Sequence, residues 1–259
     1  MSNIHKTAII EEGAKIGNNV KIGPYVSVSS EAIIGDDTVI DAHVIIAGKT
    51  TIGIGNHIFS HAVIGSIPQD LKFNGEKVEL IIGDYNKIRE FTLLNPGTKG
   101  GGSITRIGNN NLLMGYVHLG HDVIMGNNCI LANGATLAGH VELGNNVVVG
   151  GLTPIHQFVH IGDYAMIGGA SALTQDIPPY CLAEGNRATL RGLNLTGLRR
   201  ALKREDINEL KIAYKKLFES SNALQETAEF LKVESSSEHI KNLVEFITQS
   251  KRGIPYKRK

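Results

Sequence analysis

The chain has 259 residues, and its 26 lysine and arginine residues nearly balance its 25 aspartate and glutamate residues, leaving a net charge of +1. This balance argues against bulk nucleic-acid binding, and 42 % hydrophobic with 20 % charged residues exclude wholesale disorder. The two cysteines, Cys129 and Cys181, have no metal-ligand spacing and form no disulfide framework, which fits a reducing cytoplasm. No signal peptide or run of about 18 apolar residues is present, so neither export nor stable membrane insertion is expected.

An aliphatic residue recurs at every sixth position over most of the chain. One series runs from Ile10 to Ile64 and a second from Ile107 to Leu173, and glycine followed by asparagine or aspartate often comes directly after the aliphatic residue. A period of six fits neither an α-helix nor an alternating strand, but it fits short strands joined by tight turns, three to a coil. Strands eighteen residues apart then stack in parallel at about 4.8 Å. The sequence therefore predicts a mainly β protein, a parallel β-helix of about eight coils.

The repeat is interrupted twice and then ends. Loops are expected to project near residues 65–81, where the repeat positions fall on Asp70 and Glu76, and near residues 97–105, where the repeat slips by one residue. After Pro178 and Pro179 the spacing of apolar residues becomes helical. We therefore predict a β-helix over residues 1–180 and a C-terminal helical domain over residues 181–259.

Three histidines fall in repeats that are eighteen residues apart. His121, His140 and His156 should therefore lie on one face of the prism in neighbouring coils, with His118 beside the first. A second pair with this spacing, His43 and His61, has no adjoining aspartate and is interpreted as solvated. His121 next to Asp122 resembles a general base held by a carboxylate. Because no protein nucleophile is evident, a base of this kind points to direct transfer onto a substrate hydroxyl or amine.

Two charged groups of residues lie outside the histidine face. Gln69, Asp70 and Lys72 in the first projecting loop would suit polar substrate groups, although a charged loop is by default merely solvated. The helical domain begins with a basic cluster of Arg199, Arg200, Lys203 and Arg204. This cluster is either a solvated helix face or a site for an acidic partner or a phosphate.

Several motifs together resemble one family. They are Pro-Gln-Asp-Leu-Lys at residues 68–72, His-Leu-Gly-His-Asp at 118–122, Asn-Gly-Ala-Thr-Leu-Ala-Gly-His at 133–140, Ile-His-Gln-Phe at 155–158 and Gly-Asn-Arg-Ala at 185–188. The chain is similar over its whole length to the UDP-N-acetylglucosamine O-acyltransferases that begin lipid A synthesis. The resemblance implies a left-handed β-helix, a cytoplasmic homotrimer and active sites in clefts between subunits.

The resemblance also implies roles for individual residues. His121 would take the proton from the sugar 3-hydroxyl as it attacks an acyl thioester, Asp122 would orient His121, and the Gly139 N–H would bind the oxyanion. Gly169 matches the position that limits acyl length. Substrate contacts are implied for Gln69, Asp70, Lys72, His118, His140, His156, Gln157, Asn194 and Arg200. Arg199, Lys203 and Arg204 would attract acyl carrier protein, whose phosphopantetheine delivers the acyl group, so that no resident cofactor or metal is expected.

The chain departs from the family pattern at three places, and alternatives stay open. Arg187 replaces a histidine, Thr196 stands where an acid is expected, and Asn95-Pro96 replaces a His-Arg pair. A 3-amino sugar is an alternative acceptor. A β-helical zinc hydratase could use His118, His121 and His140 as ligands, and a noncatalytic scaffold is a third possibility. The later N-acyltransferase of the same pathway is the nearest enzyme alternative, but it carries an additional N-terminal domain.

Overall fold

The computed structural model describes residues 2–257, which form three parallel sheets followed by four helices. Sheet 1 contains, in spatial order, β1 (Asn3–Ile4), β4 (Lys21–Ile22), β7 (Val39–Ile40), β10 (His57–Ile58), β13 (Lys87–Ile88), β16 (Leu112–Leu113), β19 (Ile130–Leu131), β22 (Val148–Val149), β25 (Met166–Ile167), β26 (Cys181–Glu184) and β27 (Thr189–Leu193). Sheet 2 contains β2 (Ile9–Ile10), β5 (Ser27–Val28), β8 (Ile45–Ile46), β11 (Val63–Ile64), β14 (Leu93–Leu94), β17 (His118–Leu119), β20 (Thr136–Leu137) and β23 (Pro154–Ile155). Sheet 3 contains β3 (Lys15–Ile16), β6 (Ile33–Ile34), β9 (Lys49–Ile52), β12 (Glu79–Ile82), β15 (Ile104–Ile107), β18 (Ile124–Met125), β21 (Glu142–Leu143) and β24 (His160–Ile161).

The chain visits the three sheets in turn, so each circuit is one coil of a triangular prism. We call its edges 1/2, 2/3 and 3/1 after the sheets that meet there. The repeated aliphatic residues point inwards, and those between Ile22 and Ile167 are buried. At most corners, the third residue after the buried one adopts a left-handed backbone, as Asn146 does with φ 57°. This conformation turns the chain sharply enough to enter the next sheet.

Asparagine and aspartate side chains connect successive coils at the 3/1 edge. The Asn109 N–H donates to Asn127 Oδ1 at 2.7 Å, the Asn127 N–H donates to Asn145 Oδ1 at 3.0 Å, and the Asn145 N–H donates to Asp163 Oδ1 at 2.7 Å. The glycine before each of these residues is required by close approach, since a Cβ on Gly126 would lie 2.6 Å from the Gly144 carbonyl oxygen. The Gly-Asn turns in the sequence therefore stack the coils as well as reversing the chain.

Both projecting loops leave the prism at the 2/3 edge. The first occupies residues 65–78, between β11 and β12, and the second occupies residues 95–103, between β14 and β15, with a 3-10 turn at Lys99–Gly101. The predicted loop ranges of 65–81 and 97–105 extended too far, because Glu79–Ile82 and Ile104–Ile107 rejoin sheet 3. His43 and His61 lie at the 1/2 edge, exposed and stacked on one another with ring centroids 4.9 Å apart.

The helices are α1 (Leu195–Ala201), α2 (Arg204–Phe218), α3 (Leu224–Glu234) and α4 (Glu238–Gln249). They begin fourteen residues after the predicted boundary at 181, because β26 and β27 first form an antiparallel pair at the end of sheet 1. The helical region contacts the last coils through hydrogen bonds such as Ser250 Oγ to Asp176 Oδ2 at 2.7 Å. The prism and the helices share one continuous cluster of buried apolar residues.

Candidate active site

The predicted histidine face lies at the 2/3 edge, next to both projecting loops. Strands β17, β20 and β23 pair in register, so the turns that follow them stack in neighbouring coils. The residues that occupy the same corner position are Asp122, His140 and Phe158, with φ of 60°, 61° and 63°. His121 therefore lies one position before the corner and His156 two positions before it. The three histidines share an edge, but they do not form a strict column.

His121 and Asp122 form a close pair. His121 Nδ1 lies 2.7 Å from Asp122 Oδ2, and the Asp122 side chain is only 1 % exposed whereas that of His121 is 19 % exposed. Because an ionised carboxylate can only accept, this contact assigns the proton of neutral His121 to Nδ1 and leaves a lone pair on Nε2. The pair has the arrangement of a general base and the group that orients it.

The Asp122 carboxylate is held from a second coil by Thr98. The Thr98 N–H donates to Oδ1 at 2.8 Å and the Thr98 hydroxyl donates to Oδ2 at 2.6 Å. The Asp122 N–H in turn donates to the hydroxyl of Thr105 at 2.8 Å. A Cβ on Gly101 would overlap the carboxyl group of Asp122. Sequence analysis missed Thr98, Gly101 and Thr105, whose only signal is the break in the repeat between Leu94 and Ile107.

His140 completes a compact polar cluster. Its ring lies perpendicular to that of His121 with centroids 5.1 Å apart, it stacks on Phe158, and its Nε2 is 3.7 Å from Asp122 Oδ2. Burial lowers the pKa of His140 below its ordinary value of 6.5, and the nearby carboxylates of Asp122 and Asp70 only partly oppose this effect. The lowered pKa favours the neutral form of His140, which can donate or accept a hydrogen bond without carrying a charge.

Gly139 lies directly against the His121 ring. A Cβ at this position would be 2.5 Å from His121 Cε1 and 2.6 Å from Nε2. No hydrogen bond within residues 2–257 uses the Gly139 N–H, and a side chain on Gly120 would place its Cβ only 2.9 Å from that nitrogen. Two glycines thus keep a backbone donor uncovered beside the base, which is the arrangement that an oxyanion donor requires.

The first projecting loop reaches towards this cluster. The Asp70 carboxylate is close enough to oppose slightly the lowering of the His140 pKa, and its Oδ1 accepts a hydrogen bond from the Lys72 N–H at 3.0 Å. Gln69 and Lys72 are exposed on the same loop. The first loop is attached to the start of the second loop by Asn95, whose side-chain nitrogen donates to the carbonyl oxygens of Ser66 at 3.1 Å and Ile67 at 3.2 Å.

A cavity of about 540 Å³ lies beneath the first loop. Its lining includes Ile67, Phe73, Lys77, Pro96 and Ser103. Pro96 belongs to the Asn95-Pro96 pair, one of the three places at which the chain departs from the family pattern. The cavity does not contain His121 or Asp122, so it is separate from the polar cluster.

Other predicted site residues lie farther from the His121–Asp122 pair. His118 projects from the outer face of sheet 2, its Nδ1–H donates to the Leu93 carbonyl oxygen at 3.2 Å, and burial lowers its pKa. His156 and Gln157 are exposed at the 2/3 edge one coil beyond His140, and His156 Nδ1 bonds to the Gln157 carbonyl oxygen at 3.1 Å. Gly169 is exposed in the turn after β25, at the 1/2 edge rather than the 2/3 edge.

The predicted site residues of the helical region do not contact the His121–Asp122 pair within one chain. Asn194 is the N-cap of α1: its Oδ1 accepts from the Gly197 N–H at 3.1 Å and its Nδ2 donates to the Tyr164 carbonyl oxygen at 2.9 Å. Both ends of its amide therefore have a structural partner. The exposed basic residues nearby are Arg199 and Arg200 in α1, Lys203 before α2 and Arg204 at its start. Arg187 and Thr196 are also exposed.

The donor set of the cluster also resembles a metal site. Ligand atoms of His121, Asp122 and His140 all lie within 4.8 Å of one another. However, the two oxygens of Asp122 already accept three hydrogen bonds, one from His121 and two from Thr98. A metal ion bound by all three side chains would compete with these hydrogen bonds for the Asp122 oxygens. The geometry therefore favours a proton-transferring pair. Both cysteines are buried, and burial raises the pKa of Cys129 to about 11, so neither is an activated nucleophile.

A prism of six-residue repeats that carries a buried carboxylate behind a histidine defines a hexapeptide-repeat transferase, and residues 104–139 match the family model described as bacterial transferase hexapeptide (six repeats). Residues 176–255 match the model for domain 2 of UDP-N-acetylglucosamine O-acyltransferase. The chain is 71 % identical to the acyl-[acyl-carrier-protein]–UDP-N-acetylglucosamine O-acyltransferase of Sulfurovum sp. (strain NBC37-1) and 65 % identical to that of Aliarcobacter butzleri, covering 100 % of both chains in each comparison. It belongs to this acyltransferase family.

The solved structures confirm the predicted fold class. The UDP-N-acetylglucosamine acyltransferase from Campylobacter jejuni superposes with a TM-score of 0.96 at 50 % sequence identity, over 99 % of this chain and 100 % of that one. The fold is thus a left-handed parallel β-helix with C-terminal helices. These comparisons give no support to a zinc hydratase or a noncatalytic scaffold. Within residues 2–257, no helix combines the length and the apolar character needed to cross a membrane.

Proposed function

We propose that this protein transfers a 3-hydroxyacyl chain from acyl carrier protein to the 3-position of UDP-N-acetylglucosamine, or of its 3-amino analogue, in the first step of lipid A biosynthesis. The names of relatives up to 71 % identical support these substrates. The observation that carries the mechanism is the 2.7 Å contact between His121 Nδ1 and buried Asp122, which leaves His121 Nε2 as a base. A cytoplasmic location fits substrates of this kind.

His121 is the only proton carrier in the proposed reaction. His121 Nε2 accepts the proton of the sugar 3-hydroxyl as its oxygen attacks the thioester carbonyl, and Asp122 stabilises the imidazolium that forms. The Gly139 N–H donates to the carbonyl oxygen as it becomes negative. When the tetrahedral intermediate collapses, the carbon–sulfur bond breaks and His121 returns the proton to the departing phosphopantetheine thiolate. With a 3-amino acceptor, the neutral amine attacks and His121 removes its proton.

The remaining predicted residues supply binding. Asp70 and Lys72 contact the sugar and its phosphate side from the loop, with Gln69 and His118 near them. His140, His156 and Gln157 contact the nucleotide or flank the acyl arm, and Asn194 and Arg200 contact the nucleotide. Gly169 lies at the position that sets acyl length, and its lack of a side chain admits a long acyl chain. Arg199, Lys203 and Arg204 dock the acidic carrier protein. The acyl group arrives on phosphopantetheine, and the protein itself holds no cofactor or metal.

The spread of these residues over different edges supports a homotrimer. Within one chain His121 lies at the 2/3 edge, whereas Gly169 lies at the 1/2 edge and Arg200 in the helices. A single prism edge is convex and cannot enclose two substrates. In a trimer of parallel prisms, the 2/3 edge of one copy faces the next copy, which completes the cleft.

One assay tests the proposal directly. Purified protein is incubated with UDP-N-acetylglucosamine or its 3-amino analogue and a series of acyl carrier protein thioesters, and the product is identified by mass. We expect an O-acyl or N-acyl product, its loss in His121→Ala, and its retention in His5→Ala, an exposed histidine at the far end of the prism. Acyl transfer that persists in His121→Ala would overturn the mechanism. Sedimentation of the same samples should give three times the 27.9 kDa chain mass.

A further inference from the structure

Thr98 makes two hydrogen bonds to the candidate active site, although it lies in a projecting loop. It lies in the second projecting loop, 24 residues before Asp122, yet both its N–H and its hydroxyl donate to the Asp122 carboxylate, at 2.8 and 2.6 Å. It is 4 % exposed. Thr98 is thus shielded from substrate and contacts the base only through Asp122.

The hydrogen bonds around Asp122 divide between its two oxygens. Oδ1 accepts from the Thr98 N–H, whereas Oδ2 accepts from both the Thr98 hydroxyl and the His121 ring. Two donors from one residue fix the plane of the carboxylate and direct the second lone pair of Oδ2 at Nδ1. Without the hydroxyl, the carboxyl group can rotate about its terminal torsion, which is a broad and soft one.

We propose that Thr98 is a positioning residue of the acyl transfer, which aims the Asp122 carboxylate so that His121 keeps its proton on Nδ1 and its lone pair on Nε2. The inference rests on the proposed role of His121 as the base. It adds a third member, supplied by a neighbouring coil, to the His121–Asp122 pair. Gly101 serves the same arrangement, because any side chain there would displace the Asp122 carboxyl group.

The test compares Thr98→Val with Thr98→Ser. Valine keeps the shape and the backbone N–H but removes the hydroxyl, whereas serine keeps the donor. We expect Thr98→Val to lower kcat by roughly 10- to 100-fold, the usual consequence of losing a hydrogen bond to a charged group. KM for both substrates should stay unchanged, since Thr98 does not face them. Thr98→Ser should restore most of the rate.

A spectroscopic measurement separates positioning from mere structural support. The ¹⁵N shifts of the His121 ring, assigned by their absence in His121→Gln, report which nitrogen carries the proton. We expect the Nδ1–H form in the native protein and in Thr98→Ser, and a larger share of the Nε2–H form in Thr98→Val. Thr92→Val is the matched control: it removes a buried hydroxyl from the same coil, one that donates to the Arg89 carbonyl oxygen at the 1/2 edge.

The rate of Thr98→Val and the tautomer of its His121 ring together test the proposal. If Thr98→Val matches Thr92→Val in rate and in His121 tautomer, Thr98 only supports the loop and the inference is wrong. If Thr98→Val loses rate with an unchanged tautomer, the positioning mechanism is equally wrong. The tautomer measurement does not depend on turnover. An active His121→Ala variant would therefore overturn the proposed role of His121 as the base, while the effect of Thr98 on the His121 ring is decided separately.

Discussion

The ring of His121 occupies the space that a Cβ on Gly139 would fill, and Gly139 lies one coil further along the same edge. The distance from an added Cβ to His121 Cε1 would be 2.5 Å, which no real side chain tolerates. Any side chain at residue 139 would therefore push the His121 ring away from its position beside the Gly139 N–H, the proposed oxyanion donor. This relationship couples the two halves of the proposed chemistry and leads to the first prediction.

Gly139→Ala should abolish most activity while leaving the fold intact. The new Cβ pushes the His121 ring outwards, and a displacement of about 1 Å from a reactive geometry costs roughly 10²-fold in rate. Because His121 is partly exposed, its ring can move without unpacking the prism. Steady-state kcat and the thermal midpoint Tm measure the two effects. A variant with native kcat would show that the ring position is unimportant.

Asp122→Asn tests the charge behind the base at nearly constant shape. The amide has a single accepting oxygen, so it cannot accept both from the Thr98 N–H at one position and from the Thr98 hydroxyl and His121 at the other, and His121 loses its preferred tautomer. We expect kcat to fall about 10²- to 10⁴-fold, as carboxylates that orient a catalytic histidine commonly show. The exposed Asp37 at the 3/1 edge offers a control, and Asp37→Asn should retain full turnover. Equal rates in the two variants would remove Asp122 from the mechanism.

Buried histidines should make stability depend on pH. Burial lowers the pKa of His118 below 6.5 in the folded state, so below about pH 6.5 the unfolded chain binds a proton that the folded chain resists. The stability is complete above this range and declines as the pH falls. His118→Gln should therefore show a smaller drop in Tm between pH 7 and pH 5 than the native protein, measured at one protein concentration. The exposed His5→Gln should keep the native slope, and an equal slope in His118→Gln would contradict the assignment.

Asn86 links three coils inside the 3/1 edge. Its N–H donates to Asn56 Oδ1 at 2.9 Å, its side-chain nitrogen donates to the Gly108 carbonyl oxygen at 3.0 Å, and its Oδ1 accepts from the Asn111 N–H at 2.9 Å. Asn86→Ala should lower the free energy of unfolding by about 2–4 kcal/mol, because buried groups are left without partners. Denaturant titration measures this loss. Exposed Asn133→Ala should cost far less, and turnover at 25 °C should survive in both.

The basic helix residues should act on only one substrate. Replacing Arg199, Lys203 and Arg204 by glutamate should raise KM for acyl carrier protein thioester at least roughly tenfold, with KM for the nucleotide sugar unchanged, because charge pairs steer the acidic protein. High salt should weaken the native enzyme in the same way. Glutamate at exposed Lys15 and Lys21, on the N-terminal coils, is the control. A rise in both KM values would place the cluster in the nucleotide site instead.

Much of the architecture could be predicted because every coil repeats one rule. A buried aliphatic residue at each sixth position, often followed by glycine and an Asx residue, is local information, and it was sufficient to predict the stacked parallel sheets and the presence of two projecting loops. The structure adds that both loops project at the 2/3 edge. The boundary at residue 181 was less accurate, since Cys181–Glu184 and Thr189–Leu193 lack the six-residue period and yet extend sheet 1. Their pairing depends on the end of the prism rather than on their own pattern.

The chemistry of His121 and Asp122 was visible in the sequence because the two residues are adjacent. What lies behind them was not: Thr98 and Gly101 reach Asp122 from another coil through an irregular loop, where no period relates residue number to position. Likewise, the eighteen-residue spacing of the repeats predicted that His156 lies near His140. It did not determine that His140 occupies the corner position of its coil, whereas His156 lies two positions before the corner. The six-residue repeat thus allows the path of the chain to be predicted from its sequence. Contacts between loops that break the repeat depend on how far each loop departs from the prism, and only the folded structure determines that.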